Sequence, residues 1–241
     1  MLIVCNGAFK SGSTWLFNIL RFTIPWVRIQ PEFQSEKEWR GETIAEPALP
    51  QFLEKVDYHN ENYIIKSHYY NIDTRDRLLK YDHVYIYNIK RDIRDVIVSS
   101  YYHYKREEGL QQTFDEYYWK RGRNLIWYLN NYHSMWDSRE GKIYVSSYRG
   151  LLEDFDNEVR RIFLFLNYDL KPGTVEHLKN RTTLAESRKL WHEDSKSADE
   201  CFFRKGIIGD WQSHFSPQIE ADYNQIQRIE TLKKGGKNEI F

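Results

Sequence analysis

An apolar run, Leu2-Ile3-Val4-Cys5, leads into the turn Gly7-Ala8-Phe9-Lys10-Ser11-Gly12-Ser13-Thr14-Trp15. A helix-like run, Trp15-Leu16-Phe17-Asn18-Ile19-Leu20, follows it. No other stretch restricts the fold as tightly. In a strand, glycine turn and helix arranged in that order, backbone N–H groups and the positive helix end converge on one point, and an anion is the natural occupant. The spacing Gly7-x4-Gly12 nearly fits the phosphate loop of NTPases. It departs where that loop has lysine: the residue after the second glycine is Ser13, followed by Thr14. The lysine stands inside the loop, at Lys10.

The rest of the chain alternates strand and helix patterns. Asn62–Lys66 reads as a short buried strand ending at Ser67-His68, and His83–Lys90 as a stronger one after a polar segment, 71–82. Apolar residues Ile93, Val96, Ile97 and Tyr101 have helical spacing, and an aromatic helix is predicted from about Phe114 to Met135. Ile143–Ser147 is the next strand, and Glu158–Leu166 the helix after it. Residues 171–200 are polar and partly helical, Phe202–Phe215 is loop-like, and Pro217 opens a terminal helix. Alternation of this kind predicts an α/β fold, a mostly parallel central sheet flanked by helices, with ligands at the carboxyl ends of the strands. At 241 residues the chain fits one domain, 1–241, with residues 233–241 expected to be a mobile tail. Residues 23–62, punctuated by Pro25, Pro31, Pro47 and Pro50, offer room for an acceptor-side loop.

Charge narrows the partners. The 35 basic and 35 acidic residues cancel, so no global basic field is available for nucleic acid or an anionic membrane. The N-terminal apolar run is too short for a signal peptide or a span, so neither a nucleic-acid nor a membrane partner is expected, and the location expected is cytoplasmic. Cys5 and Cys201 are expected as buried free thiols in a reducing compartment. No metal-ligand spacing occurs, so no metal is expected.

Three strands end on cationic or imidazole side chains: Lys10, then Lys66 and His68, then Lys90 and Arg91. In a parallel sheet these converge on one edge and suit a polyanion. An NTPase would also need an acid for Mg²⁺ at a neighbouring strand end, where this chain has Lys90-Arg91 and Ser146-Ser147. Asp92 and Asp95 stand nearby. A nucleotide kinase with a variant phosphate loop therefore remains open, as does a nucleotide-binding module without catalysis.

Four segments in order carry a resemblance. Phe9–Trp15 resembles the 5′-phosphosulfate-binding loop of the cytosolic-type, small-molecule sulfotransferases, which use 3′-phosphoadenosine 5′-phosphosulfate (PAPS) and release 3′-phosphoadenosine 5′-phosphate (PAP). Lys66-Ser67-His68 resembles the family's Lys-Thr-His, and Arg91–His103 its 3′-phosphate-binding segment. Phe203-Arg204-Lys205-Gly206-Ile207-Ile208-Gly209-Asp210-Trp211 resembles its RKGxxGDW motif. The resemblance implies a P-loop-like fold and PAPS-dependent transfer to a small-molecule acceptor, with neither metal nor covalent intermediate. It implies catalytic roles for His68, Lys10 and Lys66: His68 as general base, Lys10 stabilising the leaving phosphate, Lys66 the transferring sulfuryl group. It implies cofactor binding by Lys10, Ser11, Gly12, Ser13, Thr14 and Trp15, by Arg91 and Ser99 at the 3′-phosphate, and by Phe203, Arg204, Lys205 and Gly206. Tyr148 falls where the family has an adenine-contacting tyrosine, and Thr182, Thr183 and Leu184 match a further adenine segment.

Other readings are plainer. Arg94, Lys105 and Arg106 read as a solvated helix face, His103 as packing, and the aromatics of Phe114–Trp136 as core. Departures from the family pattern also count. The family's Tyr-Glu-Asp-Leu is here Tyr148-Arg149-Gly150-Leu151. Its dimer motif has Thr-Val where this chain has Ser216-Pro217, so monomer and homodimer both remain open. The family has a longer segment before the loop than this chain has before Lys10. An acceptor pocket built mainly from residues 23–60 and from the lid before Phe202 is therefore expected.

Overall fold

The computed structural model describes residues 1–34, 42–137, 141–192 and 196–235. In chain order its elements are β1 Leu2–Gly7, α1 Ser13–Arg21, α2 Leu49–Lys55, β2 Tyr63–Ser67, α3 Ile72–Leu78, β3 Val84–Lys90 and α4 Ile93–Glu107. These are followed by α5 Phe114–Tyr117, α6 Arg123–Met135, β4 Ile143–Ser147, α7 Tyr148–Glu153, α8 Phe155–Phe165, α9 Thr174–Arg181, α10 Leu184–Leu190 and α11 Pro217–Gly235. The chain divides into two compact units. The first is Met1–Arg91 with Met135–Asp194, and the second is Asp92–Ser134 with Ser195–Phe241.

The first unit holds the sheet. Its four strands run in the order β2-β1-β3-β4, every pairing parallel. β1 is central and buried along its whole length, which explains why its sequence is a near-continuous apolar run rather than an alternation. Its neighbours diverge: the chain leaves β1 for β2 on one side and returns to β3 on the other. That reversal falls between β1 and β3, and the carboxyl ends of the strands at such a point are where open α/β sheets bind ligands. One sheet face is covered by α1 and α8. Ile3 and Cys5 pack there with Leu16, Ile19 and Leu20 of α1 and with Val159, Ile162 and Phe163 of α8. Each large apolar side chain so buried contributes about 1.5–3 kcal/mol.

The second unit is helical, built on α4, α5, α6 and α11. Between α5 and α6, Tyr118–Gly122 forms a π-helical turn, so the long aromatic helix expected over 114–135 is two helices joined by a wider turn. Gly122 packs where an added Cβ would sit 3.1 Å from Ile97 Cγ2 and 3.2 Å from Tyr117 Cε1, a tight fit that a side chain could take only if those neighbours gave way slightly. Tyr118 and Arg123 both donate to the Asp222 carboxylate of α11, at 2.8 and 2.9 Å.

Two expectations change. Lys233 is helical rather than part of a mobile tail, because α11 continues through Gly235; residues 236–241 lie outside the described residues. Arg94 is not merely a solvated face. Its guanidinium pairs with Asp92 at 2.6 Å and lies 3.7 Å from the centre of the Trp211 ring, so the α4 start and the Asp210–Ser213 turn clasp it.

Candidate active site

The loop after β1 is built by two positions in the left-handed region. Lys10 has φ 63° and Gly12 φ 104°. Glycine suits the second, where a Cβ would also lie 2.6 Å from Tyr148 Cδ2. Ser11 Oγ and Ser11 N–H both turn inward onto the Ala8 carbonyl, at 2.6 and 3.0 Å. Trp15 and Leu16 N–H donate to the Gly12 carbonyl, and Gly12 supplies no side-chain cap. The amides of Ser13 and Thr14 are therefore what the first turn of α1 presents, with the positive helix end behind them.

The end of β3 meets this loop. Arg91 Nη1 donates to the Lys10 carbonyl at 3.4 Å, and its guanidinium lies 4.4 Å from the centre of the Tyr148 ring. Tyr148 opens α7, directly after β4, and Ser147 caps that helix. Trp15 packs edge-on to Tyr148 with ring centres 5.6 Å apart, stacks on Phe155 and donates from Nε1 to Thr182 Oγ1 at 3.0 Å. The structure thus brings together Trp15, Tyr148 and Thr182, three residues singled out from separate motifs. Thr183 is used otherwise, accepting the Glu186 N–H as the cap of α10, which Leu184 begins.

At the end of β2, Lys66 and His68 sit beside the same loop. His68 Nδ1 bonds the Gly7 carbonyl. A carbonyl only accepts, so Nδ1 carries the hydrogen and Nε2 keeps its lone pair. Burial pushes the imidazole pKa down to about 4. The positive charge of Lys66 adds to this, the Gly7 bond opposes it, and the charge of Lys10 makes the smallest contribution, again downward. His68 is therefore neutral near pH 7 and presents a proton acceptor at Nε2.

The remaining motif residues belong to the second unit. Ser99 is half-buried on α4. Arg204 and Lys205 both donate to Asp210, the latter at 2.8 Å, and Arg204 also lies 4.1 Å from the centre of the Tyr102 ring. Burial alone would raise the Asp210 pKa, but the bonds from Lys205 and Arg204 outweigh it and hold the carboxyl below its usual range. Gly206 has φ 64°, turning the chain away after the two cations, and Phe203 packs on Phe202. The whole loop is anchored by Asp95, a buried α4 carboxylate accepting from Gly209 N–H at 2.9 Å and Trp211 N–H at 3.1 Å.

The family model for the sulfotransferase domain matches residues 2–236. The chain belongs to the sulfotransferase family. Among curated relatives, this sulfotransferase is 26% identical to sulfotransferase 1A1 of Bos taurus over 230 residues, 86% of this chain and 75% of that protein. It is 26% identical to 3-beta-hydroxysteroid sulfotransferase of Cavia porcellus over 247 residues, covering 90% of this chain and 79% of that protein. Among solved structures, it superposes on a mouse sulfotransferase complexed with PAP at a TM-score of 0.68 and 18% identity, covering 93% of this chain and 82% of that one. A retinol dehydratase in complex with retinol and PAP gives 0.68 and 20%, covering 95% and 80%. These likenesses bear out the α/β sulfotransferase fold.

Two residues of the site region were not singled out by the sequence. In the sequence Asp95 is simply an acid near a strand end, and nothing in a helix pattern signals that its carboxylate is buried under a loop more than a hundred positions away. Asn6 did carry a signal, a lone carboxamide ending an apolar strand. The acceptor-side expectation for residues 23–60 and for the lid before Phe202 falls partly on 35–41 and 193–195, which lie outside the described residues.

Proposed function

We propose that this sulfotransferase moves the sulfuryl group of PAPS to a hydroxyl or amine of a small-molecule acceptor, with His68 as general base. The observation that carries this reading is the geometry of His68: Nδ1 bonds the Gly7 carbonyl, which leaves Nε2 as the accepting atom, in a buried place where desolvation and two neighbouring lysines disfavour the charged ring. His68 Nε2 takes the proton of the acceptor as the acceptor's oxygen or nitrogen bonds to sulfur. The bond from sulfur to the bridging oxygen breaks, and its electron pair stays on the phosphate of departing PAP. Lys10 stabilises that developing charge, and Lys66 the sulfuryl oxygens in transit.

The loop suits a phosphate at its near end. Ser13 and Thr14 offer amides and hydroxyls, and Ser11, Gly12 and Lys10 shape the turn that aims them. Trp15, Tyr148 and Thr182 offer an aromatic and polar wall suited to a purine. Arg91 supplies a guanidinium for a second phosphate. The same role for Ser99, Phe203, Arg204, Lys205 and Gly206 rests on the motif match. PAP is the ligand in the solved mouse sulfotransferase, which supports the donor assignment. No described helix is long and apolar enough to cross a membrane; a cytoplasmic location, as monomer or homodimer, accompanies the proposal.

The test is incubation with PAPS and a panel of phenols, alcohols and amines, with sulfated product detected by mass spectrometry. His68→Ala should lose transfer and keep PAP binding. Transfer at the wild-type rate by that variant would remove His68 from the base role, and magnesium-dependent ATP turnover would favour a kinase.

A further inference from the structure

Asn6 is fully buried at the end of β1, after Leu2, Ile3, Val4 and Cys5. A carboxamide in such a strand costs free energy unless its polar atoms are paired. Asn6 places its oxygen in one neighbourhood. Oδ1 accepts from Ser67 Oγ at 2.9 Å and from Tyr69 N–H at 2.9 Å. These are the residues on either side of His68. The next carbonyl of β1, Gly7, accepts from the His68 ring itself. The parallel register sets Asn6 beside Ser67, which puts both donors within reach of one oxygen.

The segment is held from further directions. Tyr69 OH donates to the Ile44 carbonyl at 2.9 Å, and the Tyr69 carbonyl accepts from Trp136 Nε1 at 2.9 Å. Asn88, the register partner of Asn6 on β3, donates to the Trp136 carbonyl at 3.2 Å. This grip has a cost: Asn6 Nδ2 and Asn88 Oδ1 are buried without hydrogen-bond partners. Leucine, nearly the same size, would fill the position without the buried amide nitrogen. What leucine lacks is the oxygen that reaches both flanks of His68.

We infer that Asn6 is a positioning residue for the base: its Oδ1 holds the Ser67 hydroxyl on one side of His68 and the Tyr69 main-chain N–H on the other, so that Nδ1–H stays on Gly7 and Nε2 remains the accepting atom. The inference rests on His68 being the base. Without the clamp, the ring is free to shift and to change tautomer, and misplacement of about 1 Å costs roughly 10²-fold in rate.

The experiment compares Asn6→Leu, Ser67→Ala, His68→Ala and the double variant Asn6→Leu/His68→Ala with the wild type. It measures kcat and KM for a turned-over acceptor, PAP affinity by calorimetry, and the ¹⁵N shifts of His68 in histidine-labelled protein at neutral pH. Asn6→Leu should lower kcat about 10- to 100-fold. Its PAP affinity should stay within about threefold, and His68 should change from one tautomer to a mixture. The double variant should be no slower than His68→Ala. Unchanged kcat, or a loss of kcat with the Nδ1–H tautomer intact, overturns the positioning role. If Asn6→Leu does not fold, Ser67→Ala carries the test: a smaller kcat loss with a mixed tautomer supports the inference, and a wild-type tautomer and rate overturn it. A wild-type rate in His68→Ala would instead overturn the base assignment, so the two failures are distinct.

Discussion

Lys10 combines a charge with a backbone conformation that disfavours it. Its φ of 63° lies in the left-handed region, where a side chain costs roughly 1–2 kcal/mol relative to glycine. Lys10→Gly should therefore keep or raise the thermal midpoint while lowering kcat about 10²- to 10³-fold. An unchanged kcat would take Lys10 out of the leaving-group role. His68 makes a second residue-level prediction. With burial and two lysines depressing its pKa to about 4, the ring in the free protein should titrate well below pH 6 by NMR. PAP, by bringing negative charge beside Lys10 and Lys66, should move that midpoint up. The sign for stability follows. Between about pH 6.5 and pH 4 the unfolded chain binds a proton that the folded one refuses, so His68 weakens the fold as pH falls through that window. A midpoint near 6.5 in the free protein would contradict the burial argument.

Elements are joined by single carboxylates. Asp95, on α4, accepts two backbone N–H groups of the 209–211 turn. An asparagine there offers one acceptor and turns an NH₂ toward a donor, so Asp95→Asn should cost about 1–3 kcal/mol. Urea unfolding would read this as a lower midpoint at unchanged slope; a midpoint equal to wild type would show that the turn holds without Asp95. At this scale much was legible in the sequence. Glycines and apolar runs revealed the β1 loop and all four strands, because a buried parallel strand must be apolar and its ligand end must not be. Trp15, Tyr148 and Thr182 were legible one by one, though only the fold shows that they touch. The π-helical turn at Tyr118–Gly122 was not legible, since the aromatic spacing of 114–135 reads the same with or without one wider turn inside it. Arg94 looked solvated because a stacking partner in Trp211 leaves no trace in helical periodicity.

For the whole molecule, ligand binding and stability are one measurement. PAP at a hundred times its Kd should add about 2.7 kcal/mol to the folded state. The rise in thermal midpoint should persist when Mg²⁺ is chelated. Adenosine 5′-diphosphate at the same concentration should give a smaller rise; an equal one would remove the 3′-phosphate assignment of Arg91 and Ser99.

The division of the chain carries a consequence for its synthesis. Each compact unit is stitched from two separated stretches, so neither can be completed as its first half leaves the ribosome. Asp95 emerges 114 residues ahead of Gly209, the donor it waits for. At roughly 5–20 residues per second that is about 6–23 s during which an anionic helix start has no loop to hold. Nascent chains stalled before residue 209 should therefore expose α4 to proteases and chaperones that the finished protein excludes.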